Sequence, residues 1–185
     1  MKTAVFGGSF NPFGVNHQSI VRWLLEEGGF TEVIVVPAVS HAFKSDLIDY
    51  VHRCNMAELG VNDLRYGIPS LPKNTEVHVS KVEAELLKRQ AGPIRTYEVL
   101  RELQKYGLRE GLRFAIGPDV VEELDKWEKV EQIKAEFGFV KIPVHAMRAT
   151  KLREMIHDDV KAWRNHVSPS VRGYIEMHGL YKEAA

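Results

Sequence analysis

The sequence predicts an α/β fold in which a doubly wound parallel sheet carries helices on both faces. Apolar runs typical of buried strands alternate along the chain with amphipathic helical patterns, as they do where helices connect parallel strands. A glycine-containing segment also follows the first strand pattern and precedes the first helical pattern. Doubly wound sheets bind their ligands at that kind of position, beyond the carboxyl ends of the strands.

The alternation predicts five strands and at least six helices. Strands are expected at residues 3–6, 32–36, 75–79, 113–116 and 139–142, and helices at 17–27, 48–60, 96–106, 120–126 and 151–157. A final helix is indicated by Ser168 as N-cap, Pro169 at the first position and Gly179 past the end. Residues 64–74 contain one glycine and two prolines, which predicts a surface loop.

Composition favours one domain over residues 1–185 and a small partner. The chain has 185 residues, is 44% hydrophobic, and carries 25 basic and 25 acidic side chains. Without a global basic field, nucleic acid is not an expected partner. No apolar run reaches the roughly 20 residues that span a bilayer, and no leader pattern is present, so we expect a cytoplasmic protein without a membrane partner. The single cysteine, Cys54, is expected to pack as a small apolar residue.

The segment from Gly7 to His17 is the most informative part of the chain. Adjacent glycines allow the backbone to approach an anion, and a helix that begins near His17 would point N–H groups at negative charge. The segment, GGSFNPFGVNH, fits neither the G-x-G-x-x-G fingerprint nor a Walker A loop. It therefore predicts a phosphate site of another kind.

These eleven residues resemble the opening motif of the HxGH nucleotidyltransferases, G-G-[ST]-F-[DN]-P-x-H-x-G-H. The match has no gaps, and His17 coincides with the second histidine of the signature. The first histidine falls on Gly14, and the motif glycine falls on Asn16.

Further segments follow in family order and narrow the resemblance to the nicotinate/nicotinamide mononucleotide adenylyltransferases. Residues 149–153 are similar to the S-[ST]-T-x-[IV]-R signature, and residues 114–119 with Trp127 are similar to G-x-D…L-x-x-W. The other similar segments are 35–37 with 41–44, 52–56, 95–100 and 167–181. Their order along nearly the whole chain makes a chance match improbable.

This resemblance implies a Rossmann-like fold of the nucleotidyltransferase type. It also implies transfer of the adenylyl group of ATP to nicotinate or nicotinamide mononucleotide, with release of pyrophosphate and formation of a dinucleotide. Mg²⁺ is implied only as a companion of the ATP phosphates, because it usually binds substrate oxygens and few protein ligands. His17, Arg153 and Lys44 are the implied catalytic residues.

The implied ATP site combines backbone donors with a basic helix start. Thr150 and Arg153 lie three residues apart on one predicted helix face, where they could hold the departing pyrophosphate. Asp119 could bind ribose hydroxyls, while Thr96 and Trp127 are the implied contacts of the acceptor base. The full ATP set is Gly8, Ser9, Phe10, Asn16, His17, Gly117, Asp119, Thr150, Lys151 and Arg153.

Glycine at position 14 leaves three functions open. Asn16, with a side-chain amide and a tolerance of left-handed backbone, could replace the missing donor, as could His41, Lys44 or Lys151. Besides the adenylyltransferase, the chain could act on another phosphorylated acceptor such as phosphopantetheine, or bind nucleotides without turnover in a regulatory role. A homo-oligomer also stays open. Six histidines outside the motifs lack metal-site spacing and are expected to be surface or core residues: His52, His78, His145, His157, His166 and His178.

Overall fold

A computed structural model describes residues 2–39, 47–67, 70–90, 92–106, 111–143 and 149–182. It contains a five-stranded sheet in the order β3-β2-β1-β4-β5, and all neighbouring strands are parallel. The strands are β1 (Thr3–Gly8), β2 (Glu32–Pro37), β3 (Glu76–Val79), β4 (Leu112–Ile116) and β5 (Phe139–Lys141). The predicted doubly wound fold is therefore confirmed.

The strand order fixes where a ligand can lie. The chain builds outward from β1 through β2 to β3 and then crosses to β4 on the other side of β1. The carboxyl ends of β1 and β4 consequently border the point where the strand order reverses. That point is the usual binding crevice of an open parallel sheet.

Helices cover both faces of the sheet because successive strand residues point to opposite faces. In β1, Ala4 and Phe6 belong to one buried apolar cluster, whereas Val5 belongs to the other. The helices are α1 (Val15–Glu26), α2 (Tyr50–Tyr66), α3 (Val82–Leu87), α4 (Thr96–Lys105), α5 (Pro118–Val121), α6 (Val130–Glu136), α7 (Ala149–His157) and α8 (Pro169–His178). Buried residues of α1, α2, α7 and α8 pack in the first cluster, and those of α3, α4 and α6 pack in the second.

The sequence located the long elements well and the short ones poorly. The loop predicted at 64–74 begins later, because α2 continues to Tyr66. The helix predicted at 120–126 is divided into α5 and a 3-10 turn at Leu124–Lys126. Three short elements were not predicted: α3, α6 and the 3-10 helix Lys161–His166. One or two turns provide too few residues for a clear apolar period.

The start of α8 is at the predicted position but is capped from elsewhere. Ser168 has extended N-cap geometry and Pro169 is the first helical residue, yet the Ser168 hydroxyl makes no hydrogen bond within the described residues. Asp63 of α2 instead accepts the Ser170 N–H at 3.0 Å and the Ser170 hydroxyl at 2.5 Å. Gly179 ends the helix in the left-handed region, at φ +59°. The cap therefore also joins α8 to α2.

Two other predictions concern burial and membranes. Cys54 is a buried residue of α2, as expected. Among the residues that the structure describes, no helix is both long enough and apolar enough to cross a bilayer.

Candidate active site

The glycine loop lies at the carboxyl end of β1, with α1 directly after it. Gly8 ends the strand, and residues 9–14 connect it to the helix. The helix begins at Val15, two residues before the predicted start at His17. Asn16 and His17 are consequently its second and third residues, so Asn16 adopts right-handed helical geometry and the predicted use of a left-handed backbone is wrong.

His17 is held in one orientation by the loop that precedes it. The Gly14 N–H donates to His17 Nδ1 at 2.9 Å, so the proton of the neutral ring is on Nε2. The ring stacks on Phe13 with centroids 5.2 Å apart at 28°, and meets Phe10 edge-on at 5.2 Å. The tautomer and the ring plane are therefore both determined by neighbours within the motif.

Phe10 gives the loop its shape. Its φ of +46° lies in the left-handed region. This conformation costs a residue other than glycine about 1–3 kcal/mol and persists only where the surroundings hold it. The side chain is 3% exposed and packs against Phe6 and Phe13 at centroid distances of 5.3 and 5.2 Å. Beside it, the hydroxyl of Ser9 is buried and makes no hydrogen bond within the described part of the chain.

Arg53 of α2 fastens this loop to the segment after β2. Although the residue is only 1% exposed, its guanidinium donates four hydrogen bonds, all to backbone carbonyls. The acceptors are Ser9 at 2.8 Å, Ala38 at 2.6 Å, Val39 at 3.0 Å and Ile48 at 3.0 Å. Burial lowers the pKa of this guanidinium from its ordinary value.

Glu83 of α3 approaches the same segment from the other side. Its carboxylate accepts the N–H of Val39 at 2.8 Å. Burial raises the pKa of this carboxyl to about 7, while the Val39 hydrogen bond and the nearby Arg53 oppose the rise. The sequence does not indicate a role for Arg53 or Glu83, because a lone basic or acidic residue in a helical pattern usually faces solvent.

Thr150 and Arg153 line one cavity of about 430 Å³ beside the loop. Arg153 donates to the carbonyl of Asn11 at 3.0 Å, and the Tyr181 hydroxyl donates to Asn11 Oδ1 at 2.8 Å. The structure thus brings the predicted helix start and the glycine loop together. Among the described residues, Glu154, His157, Asp158 and Tyr181 also line the cavity, and none of these four was predicted from the sequence.

Lys151 lies outside the lining of this cavity. It is exposed and forms an ion pair with Glu154 at 3.1 Å. His157, expected only as a surface or core histidine, is exposed but contributes to the cavity wall. Its position one turn after Arg153 on α7 is the signal that could have identified it.

The other predicted residues lie on α4, on α5 and in the segment that follows α5. Gly117 is the N-cap of α5 and Thr96 is the first residue of α4. Asp119 lies inside the first turn of α5, so it is not the N-cap residue. Trp127 is half-buried and meets Phe114 and Phe139 edge-on, at 5.8 and 6.3 Å. Predictions for His41, Lys44 and His145 concern positions outside the described residues.

Gly14 is a packing requirement in this fold. A Cβ atom at this position would lie 2.8 Å from the carbonyl oxygen of His166, at the end of the 3-10 helix Lys161–His166. That distance is shorter than real Cβ contacts, and the obstacle is backbone. The place of the signature's first histidine is therefore closed by the chain itself.

We predict that Gly14→Ala destabilises the protein by about 1–3 kcal/mol, because the backbone near His166 must move to admit the methyl group. Gly173→Ala is the matched control, since a Cβ there meets nothing within 4 Å and the residue lies inside α8. The control should stabilise the protein by up to about 1 kcal/mol. Urea unfolding of both variants gives the comparison. Equal effects of the two substitutions would show that Gly14 is not constrained by packing.

We also predict that the stability contribution of Glu83 is lost as the pH rises. The ordinary pKa of this carboxyl is 4.5 and the folded value is about 7, so the folded state holds the proton more tightly. Its contribution is full below about pH 4.5 and declines up to about pH 7. The difference in unfolding free energy between the parent and Glu83→Gln, measured between pH 4.5 and 8, should show this decline. Glu85→Gln, on the exposed side of α3, should not change the profile of the parent.

Comparison with known proteins shows the family of the chain. The Cytidylyltransferase-like family model matches residues 5–170. A probable nicotinate-nucleotide adenylyltransferase of Aliarcobacter butzleri is 32% identical over 83% of this chain and 78% of its own. Another, of Acholeplasma laidlawii, is 31% identical over 74% of this chain, and the match spans 64% of that relative.

A solved structure extends the likeness in fold over the whole length. Plasmodium falciparum nicotinic acid mononucleotide adenylyltransferase, solved in complex with NaAD, superposes with a TM-score of 0.74 at 18% identity, covering 98% of each chain. The chain, with its glycine loop, oriented histidine and parallel sheet, therefore belongs to the cytidylyltransferase-like nucleotidyltransferases, within the family of the nicotinate-nucleotide adenylyltransferases.

Proposed function

We propose that this protein transfers the adenylyl group of ATP to nicotinate mononucleotide and releases pyrophosphate. A phosphate oxygen of the acceptor attacks the α-phosphorus of ATP, the new P–O bond forms, and the bond to the β-phosphate breaks. The electron pair of that bond leaves with pyrophosphate. We propose nicotinate mononucleotide, and not nicotinamide mononucleotide, as the acceptor because the two relatives described above are named for nicotinate nucleotide.

The orientation of His17 is the observation that carries this proposal. Its Nδ1 accepts the Gly14 N–H, so the proton that a neutral ring could donate to a phosphate oxygen is on Nε2. Its place in the first turn of α1 adds the positive end of the helix dipole. A donor fixed in this way stabilises charge that develops in the transition state without having to reorganise.

The glycine loop is proposed to hold the phosphates. Ser9 and Phe10 would supply backbone N–H groups, Gly8 would allow the phosphates to approach the backbone closely, and the buried Ser9 hydroxyl is a further donor. Arg153 and Thr150 border the cavity next to Asn11, where the departing pyrophosphate would lie. Lys44 and Lys151 are further proposed cations, and the ion pair of Lys151 with Glu154 must open before that lysine can take this part.

The two nucleosides are proposed to lie toward β4. Gly117 and Asp119, at the start of α5, are assigned to the ATP ribose. Trp127 and Thr96 are assigned to the acceptor base, since Trp127 lies in the aromatic group with Phe114 and Phe139. Asn16 lies on the first turn of α1. Its side-chain amide is proposed to replace the hydrogen-bond donor that is missing because Gly14 stands in the place of a histidine.

Mg²⁺ is proposed to enter with ATP. Within the ranges that the structure describes, no group of three or more His, Cys, Asp or Glu side chains is arranged to hold a metal ion. The ion would be coordinated by substrate oxygens and water. When bound there, Mg²⁺ neutralises phosphate charge.

The proposed setting is the cytoplasm, with the chain acting as one domain.

The test is to incubate the purified protein with Mg-ATP and, separately, nicotinate mononucleotide or nicotinamide mononucleotide, and to follow dinucleotide and pyrophosphate formation. We predict product with nicotinate mononucleotide and a fall in kcat of about 10²–10³ for His17→Ala, the cost of removing one preorganised donor. ATP affinity should change little.

His178→Ala is the matched control, because this histidine is exposed near the end of α8. It should keep the parent rate. ATP binding without any product would contradict the proposal and favour the non-catalytic nucleotide-binding protein. Product that does not depend on His17 would remove the residue from the mechanism.

A further inference from the structure

Arg53, Glu83 and the peptide that joins Ala38 to Val39 form a connected polar contact at the carboxyl end of β2, outside the residues assigned above. Arg53 binds both carbonyls of this segment, and Glu83 accepts the N–H of Val39. Three of the four backbone polar groups of Ala38 and Val39 are thus bound by side chains from two different helices, and the fourth, the Ala38 N–H, donates to the carbonyl of Gly8. We call this arrangement the brace.

The brace also reaches the glycine loop. Arg53 donates to the carbonyl of Ser9 at 2.8 Å, and the peptide between Ser9 and Phe10 is trans. In a trans peptide the C=O and the N–H point in opposite directions. Because the Ser9 carbonyl faces the buried guanidinium, the N–H of Phe10 faces away from it.

We propose that Arg53 and Glu83 are positioning residues, which hold the glycine loop so that its backbone donors meet the phosphates of ATP. This inference rests on the proposed function, and neither residue is assigned a contact with the substrate. The left-handed φ of Phe10 supports it, because such a conformation persists only where the surroundings fix it. The Arg53 bond to the neighbouring carbonyl is one such restraint.

The charge on Glu83 strengthens the brace. An ionised carboxylate accepts the Val39 N–H more strongly than a protonated one and attracts the Arg53 guanidinium. Among the described residues, Arg53 and Tyr50 of α2 are the titratable groups whose charges couple with this carboxyl. Lys81, just before α3, pairs with Glu58 instead, at 2.8 Å.

Ionisation of Glu83 therefore has two opposite consequences. It lowers the stability of the folded chain because the charge is buried, but it tightens the hold on the loop. ATP affinity should thus weaken as the pH falls through about 7, over the range in which the stability contribution of this residue increases. A purely structural role would change stability alone.

The test measures Mg-ATP binding and dinucleotide formation between pH 6 and 8 for the parent, Glu83→Gln and Glu85→Gln. The glutamine at position 83 keeps an acceptor for the Val39 N–H but cannot ionise. We expect the parent to lose affinity about threefold to tenfold more than Glu83→Gln on going from pH 8 to 6, as a charged hydrogen bond becomes a neutral one. The titration of ATP itself is the same in every sample and cancels in this comparison. The control Glu85→Gln should show the same pH dependence as the parent. Parallel profiles of the parent and Glu83→Gln would overturn the part of Glu83.

Arg53→Lys tests the other half of the brace. An ammonium group keeps the charge but cannot donate in one plane to four carbonyls. We expect kcat to fall at least about tenfold, because a small displacement of a positioned group has a large effect on rate. Arg65→Lys, on the exposed end of the same helix, should keep the parent values. A folded Arg53→Lys variant with unchanged kcat and KM would overturn the proposal.

Amide hydrogen exchange and ATP binding test the brace if either of the experiments above gives no result. If Arg53→Lys does not fold, amide hydrogen exchange at Phe10 and Val39 in Glu83→Ala replaces it, with faster exchange at both sites expected and unchanged exchange contradicting the brace. If the parent forms no dinucleotide, the proposed function fails. The brace is then still judged by ATP binding and by exchange at these two amides.

Discussion

The buried guanidinium of Arg53 is the interaction on which the candidate site depends. One side chain binds carbonyls that belong to the loop after β1, the segment after β2 and the segment before α2. Each hydrogen bond from a charged donor contributes about 1.5–3 kcal/mol, and loss of the arginine would leave several carbonyls without it. The carboxyl ends of two neighbouring strands are thereby held as one unit.

Aromatic packing continues this unit to the catalytic histidine proposed here. Phe10, fixed at positive φ, contacts both Phe13 and His17. Phe13 in turn fits against Gly60 of α2, where a Cβ would lie 2.5 Å from its ring. A small residue on α2 and a large one in the loop therefore determine the plane of the imidazole. Arg53 and Gly60, the residue against which Phe13 packs, are both on α2.

The sequence was sufficient for the sheet, for the long helices and for the position of the glycine loop, because apolar periodicity and motif spacing are local properties. Thr150 and Arg153 line one cavity, as the spacing of three residues on a helix predicts for side chains on the same face. The sequence could not show that Arg53 is buried, that Glu83 faces Val39, or that Asp63 caps α8. Each of these contacts joins elements far apart in the chain, and no local pattern encodes them.

Gly14 illustrates the same limit from the other direction. In the motif, Gly14 stands at the place of a histidine. In the structure, the carbonyl of His166 lies so close that it excludes any side chain at this position. The segment that closes this space is the 3-10 helix Lys161–His166, which the sequence did not predict. The change in the loop and the path of the C-terminal segment are therefore one structural feature.

A crystal structure of the chain with a non-hydrolysable ATP analogue tests the account most directly. It should place the phosphates against the N–H of Phe10 and against His17 Nε2, with the Gly14 N–H still on His17 Nδ1 and Arg53 still on the carbonyl of Ser9. Phosphates bound away from this loop, or a His17 ring turned so that Nδ1 faces the ligand, would contradict it.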